Sequence, residues 1–173
     1  AMVEAYKEIH IAVVINSQGQ QAARSDGLPV AESIDYSDRE YFSQVMQNRT
    51  TALSDVLISK SAGWSGVVIA EPILTDARSV QGLLVVNLGL NGIIQMIEQA
   101  LVDQQSYVYV VNKAGRIIIH TDPLQARPED SRCRQPITKA LAGETGWLEY
   151  ECGSQKILAG YSYLPTAGWG LVV

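Results

Sequence analysis

The chain has 173 residues, of which 47 % are hydrophobic and 18 % are charged, a composition that supplies a folded core and is unlike that of disordered proteins. Thirteen Lys and Arg against eighteen Asp and Glu give a formal net charge of −5, which argues against a general nucleic-acid or anionic-membrane binder, because both need a clustered positive field. No apolar run approaches the ~20 residues of a membrane-spanning helix.

The first predicted strand, at 11–15, is followed by a tight turn that begins at Asn16 and contains Gly19. Asn and Gly in an Asn-x-x-Gly turn supply the unusual backbone angles that such a turn requires. The same strand and turn recur in the second half of the chain, where Asn112 and Gly115 take the places of Asn16 and Gly19. Each copy is expected to continue into a second strand.

A second pair of segments recurs in the same order. Residues 68–70 followed by 82–86 resemble residues 158–160 followed by 170–173. One such match could arise by chance, but two matches in the same order favour a duplicated module.

The first predicted helix begins near a Ser-x-x-Glu sequence at 37–40, which has the form of a capping box and predicts Ser37 as the N-cap. Phe42, Val45 and Met46 follow at helical spacing and form its apolar stripe.

Two more helices are predicted further along. Asn91 can cap a helix over 91–105 that has the apolar stripe Ile93, Ile94, Ile97 and Leu101. A third helix over 134–142 is expected to stop at Gly143. The pattern predicts an α+β fold with two modules, each an antiparallel sheet with helices packed on it, joined by the helix at 91–105.

Motifs for chemistry are few. The sequence lacks a phosphate-binding loop, a zinc-protease helix motif, a nucleophile elbow and a dinucleotide fingerprint. His10 and His120 lie in strand-like stretches without a nearby acidic pair or nucleophile. Cys133 and Cys152 have no metal-ligand spacing, and two buried thiols and a disulfide remain equally open. We therefore expect no catalytic residue, no metal site and no cofactor.

Arg39 is the first candidate for binding. On the predicted helix it lies beside core-facing Phe42 and Met46, so its guanidinium requires a partner, because an unpaired desolvated charge is costly. One interpretation is an internal salt bridge to Asp35, Asp38 or Glu71. The other is a planar fork that holds the carboxylate or another anionic group of a small ligand.

Asn87 is the second candidate, because it interrupts an apolar strand and shares a face with Leu83 and Val85. A buried amide needs several hydrogen-bond partners, so it is either a structural clip or a ligand contact. Ser59 and Lys60 add polar groups at the end of another predicted strand, at 55–58.

Six segments carry a resemblance to a family. The first half has YSDREYF at 36–42, VLIS at 56–59, VIAEPI at 68–73 and GLLVVNL at 82–88, and the second half has YVVNKAGRIIIHTDP at 109–123 and GWGLVV at 168–173. Their order and spacing resemble the double Cache domains, the PAS-like extracytoplasmic sensors of bacterial and archaeal receptors.

This resemblance implies two tandem PAS-like Cache modules. Residues 1–90 correspond to a membrane-distal, ligand-binding module, 91–105 to a connecting helix, and 106–173 to a membrane-proximal module. It also implies a periplasmic or extracellular location, membrane anchors outside this chain, a homodimeric receptor, and a histidine kinase, diguanylate cyclase or chemoreceptor output. Such a compartment would favour a bond between Cys133 and Cys152.

The resemblance also suggests a binding site. Amino-acid-binding members have an Arg-x-aromatic-aromatic segment whose Arg and first aromatic contact the ligand carboxylate, and Arg39 and Tyr41 match it. Those members hold the amino group with an Asp where this chain has Asn87, which favours a small carboxylate, or another anionic or neutral metabolite, over an amino acid. Ser59 and Lys60 are further predicted contacts. The alternative is a sensor that binds no small molecule and acts through dimerisation or a periplasmic protein.

Overall fold

The computed structural model describes residues 9–30, 33–61, 63–100, 106–122 and 131–173. The chain divides into two compact units, Ala1–Ile93 and Ile94–Val173. None of the helices within the described ranges is long and apolar enough to span a membrane.

The first unit is built on an antiparallel sheet of six strands. Its elements in chain order are β1 (Ile9–Asn16), β2 (Gln21–Arg24), α1 (Glu40–Asn48), β3 (Ala52–Leu53), β4 (Leu57–Ile58), β5 (Ser65–Leu74) and β6 (Val80–Gly89). The sheet order is β2-β1-β6-β5-β3, and β4 also pairs with β5. Alternate residues of the central strands point to one face and pack with α1, because side chains of a strand alternate between the two faces. This core contains Ile11, Val13, Ile15, Val45, Val68, Ala70, Leu83 and Val85.

Helix α2 (Leu90–Ala100) follows β6, and the boundary between the units falls within it. The second unit then has β7 (Tyr109–Val111), β8 (Ile117–His120), a 3-10 helix (Ser131–Arg134), α3 (Gln135–Leu141), β9 (Gly146–Cys152), β10 (Gln155–Leu164) and β11 (Trp169–Val172). Its five strands form an antiparallel sheet in the order β8-β7-β11-β10-β9. The predicted α+β class with two antiparallel sheets is confirmed.

The duplicated turn is also confirmed. The Asn16 side-chain oxygen accepts the backbone N–H groups of Gln18 and Gln20 at 3.0 and 2.9 Å. The Asn112 oxygen accepts those of Ala114 and Arg116 at 3.1 and 3.0 Å, so both turns use the same hydrogen bonds. Gly19 and Gly115 have φ angles of +85° and +71°, which a residue with a side chain rarely adopts.

The repeat of residues 68–70 and 82–86 in residues 158–160 and 170–173 is confirmed in topology, but its alignment is shifted by one residue. Strands β5 and β6 occupy the same places in the first sheet as β10 and β11 in the second. Gly82 pairs with Asn16, whereas Gly170 pairs with Val111, the residue before Asn112. The two glycines that appear equivalent in the sequence therefore occupy neighbouring positions of the repeat.

The predicted capping box at Ser37 is wrong. Helix α1 begins at Glu40, Arg39 occupies the N-cap position, and no side chain caps the helix. The backbone N–H and the hydroxyl of Ser37 instead donate to the Asp35 carboxylate at 2.8 and 2.9 Å. This local bond competes with the cap and delays the start of the helix.

The other two helices agree more closely with their predictions. Helix α2 starts at Leu90, so Asn91 lies inside its first turn rather than capping it, and the predicted part at 101–105 lies outside the described residues. Helix α3 ends before Gly143, which has a φ of +88°, as predicted. A disulfide joins Cys133 to Cys152, with the two Cα atoms 4.8 Å apart, and so connects the 3-10 helix to the end of β9.

Candidate functional site

A small pocket lies in the first unit. It encloses about 10 Å³, and about 280 Å³ when the open solvent at its mouth is included. All five residues predicted to bind a ligand line it, together with apolar side chains from the sheet. The predicted residues are Arg39, Tyr41, Ser59, Lys60 and Asn87. The structure therefore brings together side chains from α1 and its N-cap, from the segment after β4, and from β6.

The apolar wall of the pocket comes from three neighbouring strands. Ile11 and Val13 of β1, Val68 of β5 and Val85 of β6 all line it. These residues belong to the core cluster of the first unit, so the pocket is continuous with the core on that side. Asn87 lies two residues beyond Val85 on the same strand and continues this row, because alternate residues of a strand share a face.

Asn87 is 3 % exposed and is held between Ile11 on one neighbouring strand and Val68 on the other. Its side-chain oxygen is buried and accepts no hydrogen bond from any residue in the described ranges. Gly66 packs against this oxygen so closely that a methyl group at position 66 would collide with it. A buried polar atom without a partner is uncommon in proteins and indicates either strain or a missing partner.

Arg39 is half-buried, and one of its terminal nitrogens donates to the carbonyl oxygen of Ile58 at 2.9 Å. Within the described part of the chain, Arg39 forms no ion pair. A guanidinium has five N–H donors, so this single bond leaves others for a ligand.

The internal salt bridge considered for Arg39 is therefore wrong. Each of the three acidic residues that could have formed it binds another partner: Asp35 accepts from Ser37, Asp38 from Lys60, and Glu71 from Thr51.

Lys60 lines the pocket but is already engaged. Its ammonium donates to the two carboxylate oxygens of Asp38 at 2.7 and 2.8 Å and to the backbone carbonyl of Asp35 at 2.5 Å. Three acceptors match the three N–H groups of an ammonium, so this conformation leaves no donor for a ligand.

Tyr41 and Ser59 supply neutral hydroxyl groups to the pocket. Burial raises the pKa of the Tyr41 hydroxyl well above its usual range, and the nearby charge of Arg39 opposes this only in part. Tyr41 therefore remains neutral and can donate a hydrogen bond at any physiological pH.

Tyr36 and Ser61 also line the pocket, although they are not among the residues predicted from the sequence to bind a ligand. Their hydroxyl oxygens lie 2.5 Å apart, and Gln21 donates to Tyr36 at 3.4 Å. The signal that could have identified Tyr36 is its position three residues before Arg39, in the segment that leads into α1.

The charges around the pocket favour an anionic group. Of the described side chains that line it, none carries a carboxylate, and Arg39 is the cation whose donors are not already occupied by an acid. The remaining polar groups are hydroxyls and one carboxamide. An apolar pocket with a few convergent polar groups is typical of a small-molecule site.

Solved structures of similar fold are receptor domains. The ligand-binding domain of the Campylobacter jejuni chemoreceptor Tlp3, in complex with 4-methylisoleucine, matches 99 % of this chain with a TM-score of 0.74 and 8 % identity. The corresponding domain of the Pseudomonas fluorescens chemoreceptor CtaA, in complex with L-isoleucine, matches 96 % with a TM-score of 0.70 and 18 % identity. The extracellular domain of rpHK1S-Z16, which is assigned as a histidine kinase, matches 99 % with a TM-score of 0.76 and 15 % identity.

This chain spans 66 % of the Tlp3 domain, 69 % of the CtaA domain and 72 % of the rpHK1S-Z16 domain. At these identities the likeness establishes the fold. No curated protein matches the chain in sequence. A family model of the Cache domain, dCache_1, matches residues 1–173. Because this model covers the whole chain and agrees with the observed pair of antiparallel sheets, the chain belongs to the dCache_1 family of Cache sensor domains.

Proposed function

We propose that this chain is the extracytoplasmic sensor of a membrane receptor and that its pocket binds a small carboxylate or another small anionic or neutral metabolite. Residues 1–90 form the membrane-distal, ligand-binding module, and residues 106–173 form the membrane-proximal module. Binding is relayed to a cytoplasmic output outside this chain, such as a histidine kinase, a diguanylate cyclase or a chemoreceptor signalling domain. The full receptor acts as a homodimer.

The observation that carries this proposal is the state of Arg39. Its guanidinium borders an apolar pocket, forms no ion pair within the described ranges, and uses one donor on the Ile58 carbonyl. A carboxylate can accept two parallel hydrogen bonds from such a group, which is a strong and directional interaction. Tyr41 and Ser59 add hydroxyl donors on the same pocket.

The size of the pocket supports a small ligand. Its enclosed space is only about 10 Å³, and the figure of about 280 Å³ includes open solvent, so we expect the ligand to be small. The Tlp3 and CtaA structures contain 4-methylisoleucine and L-isoleucine, which also carry a carboxylate.

The proposal can be tested with a thermal-shift screen of the purified chain against small carboxylates, amino acids, amines and purines. A ligand at about one hundred times its dissociation constant adds about 2.7 kcal/mol to the free energy of unfolding, which raises the melting temperature measurably. We expect a carboxylate to stabilise the parent and the control variant Arg116→Ala, whose exposed arginine lies in the second unit, but not Arg39→Ala.

If no compound stabilises the folded parent, the proposal fails. The chain would then act as a sensor without a small-molecule ligand, through dimerisation or a periplasmic partner. If a compound stabilises Arg39→Ala as well as the parent, the ligand does not depend on Arg39.

A further inference from the structure

Resting on the proposed function, we infer that the pocket recognises a second group of its ligand, a neutral hydrogen-bond donor that binds the side-chain oxygen of Asn87. The ligand class is then a small carboxylate that also carries a hydroxyl group, a hydroxycarboxylate. We expect it to bind more tightly than the amino acid, or the acid without a hydroxyl group, that has the same carbon skeleton.

Asn87 lines the pocket, and its side-chain oxygen is buried and lacks a donor among the described residues. Leaving a buried acceptor without a hydrogen bond is costly, so a ligand that supplies a donor gains affinity over one that does not. A plain carboxylate with a hydrocarbon tail would leave this oxygen unsatisfied.

The sheet fixes the position of the Asn87 amide. The backbone of Asn87 is paired on both sides, with Ile11 in β1 and with Val68 in β5, so the side chain starts from a central strand that cannot easily move. The oxygen occupies the space on the β5 side that a side chain at position 66 would fill, so the glycine is what allows the amide this orientation. The acceptor is therefore preorganised, which favours ligands that match it.

The described lining of the pocket also favours a neutral donor over a charged one. A carboxamide is neutral in either orientation of its oxygen and nitrogen, and the described lining of the pocket contains no carboxylate. An ammonium group brought into this pocket loses its hydration without gaining a counter-charge, and this loss is costly. A hydroxyl group loses much less and still donates a hydrogen bond to Asn87.

The test uses sets of probes that differ in one group. Lactate, L-alanine and propionate share a size and a carboxylate but carry a hydroxyl, an ammonium and a hydrogen, respectively, and 2-hydroxyisovalerate, L-valine and isovalerate form a larger set. Both enantiomers of each hydroxy acid are measured by titration calorimetry on the purified chain. We expect one hydroxy acid to bind at least about 10-fold more tightly than the other two members of its set, since one good hydrogen bond is worth about that factor.

Two variants locate the effect at Asn87. Asn87→Asp keeps the shape and adds a charge, and it should shift the preference toward the amino acid by at least about 10-fold. Asn87→Leu removes the acceptor and should make the hydroxy acid and the plain acid bind equally. If either variant fails to fold, the ratio measured on the parent chain still decides the question.

The possible results separate this inference from the proposed function. Binding of acids that depends on Arg39 but shows no preference for the hydroxyl overturns the inference and leaves the proposed function standing. Tighter binding of the amino acid than of its hydroxy acid by the parent also overturns it. If none of the probes binds the parent, the inference fails together with the carboxylate site.

Discussion

Lys60, which lines the pocket, forms an ion pair with Asp38, with its ammonium nitrogen 2.7 and 2.8 Å from the two carboxylate oxygens. The pair joins two segments of the chain. Residues 35–39 lead into α1, and residues 58–61 begin at the last residue of β4. Three further hydrogen bonds join the same segments: from Lys60 to the Asp35 carbonyl, between Tyr36 and Ser61, and from Arg39 to the Ile58 carbonyl. We call the ion pair and these three bonds the clasp.

The clasp predicts that Lys60 controls the opening of the pocket. In Lys60→Met the segment 58–61 loses its strongest tie, so the backbone N–H of Ser59, which donates to the Trp64 carbonyl, should exchange faster with deuterium. The melting temperature should fall only slightly, because a partly exposed ion pair contributes about 0–1 kcal/mol. Hydrogen–deuterium exchange of peptides covering 57–64 measures the effect.

The matched control is Lys156→Met, which removes the pair between Lys156 and Glu149 in the second unit. It should leave exchange at 57–64 unchanged. Exchange of these peptides at the parental rate in Lys60→Met would show that the clasp does not hold the pocket closed.

Replacement by alanine should have different effects on stability at two strand glycines, Gly66 and Gly160. Gly66→Ala places a methyl group against the Asn87 oxygen and 2.5 Å from the backbone oxygen of Leu88, so the sheet must shift. Overpacking of this kind costs about 1–3 kcal/mol. Gly160→Ala meets nothing within 4 Å and should be neutral or stabilise the fold by up to about 1 kcal/mol.

Urea denaturation of both variants measures these effects on the two units. An equal stability for Gly66→Ala and the parent would mean that Asn87 can move away from Gly66. That result would also remove the preorganisation attributed to the Asn87 oxygen.

The sequence predicted the features that depend on local rules. Asn16 and Asn112 predict their turns because each side chain accepts a hydrogen bond from the backbone within the next four residues. The inward-facing position of Asn87 follows from the alternation of side chains along a strand. The N-cap predicted at Ser37 is wrong because two local hydrogen bonds compete for its hydroxyl, and the position of Asp35 decides between them. No local pattern reveals that Lys60 binds Asp38 or that the Asn87 oxygen lacks a donor among the described residues. Both depend on residues that are far apart in the chain.

The disulfide predicts a stability that depends on redox state. Cys133 and Cys152 are 19 residues apart, and closing a loop of ~15–20 residues stabilises a fold by about 3 kcal/mol through the unfolded chain. A reductant should therefore lower the denaturation midpoint of the second unit. The same reductant should have no effect on the double variant Cys133→Ala, Cys152→Ala, and two free thiols titrated in the native protein would contradict the bond.

The environment of His120 predicts that acid destabilises the second unit. One ring nitrogen, Nδ1, accepts the backbone N–H of Asp122 at 2.9 Å, and the ring stacks on Tyr107 and Tyr109 at 5.3 and 5.6 Å between centroids. A protonated ring cannot accept that bond. Burial lowers the pKa of His120 below 6.5, and the charge of Asp122 opposes this only in part.

Because the folded pKa lies below the unfolded value, the unfolded chain binds more protons between the two values. The contribution of His120 to stability is therefore complete above pH 6.5 and is lost as the pH falls from there to the folded pKa. Melting temperatures between about pH 7.5 and pH 5 should fall less steeply in His120→Gln than in the parent.

His10→Gln is the control for this titration, because burial also lowers the pKa of His10, which lies in the first unit. In that variant the acid-induced loss of stability of the second unit should persist, since His120 is intact. A parent and a His120→Gln variant with the same pH dependence would mean that His120 takes up its proton in the folded state as readily as in the unfolded chain.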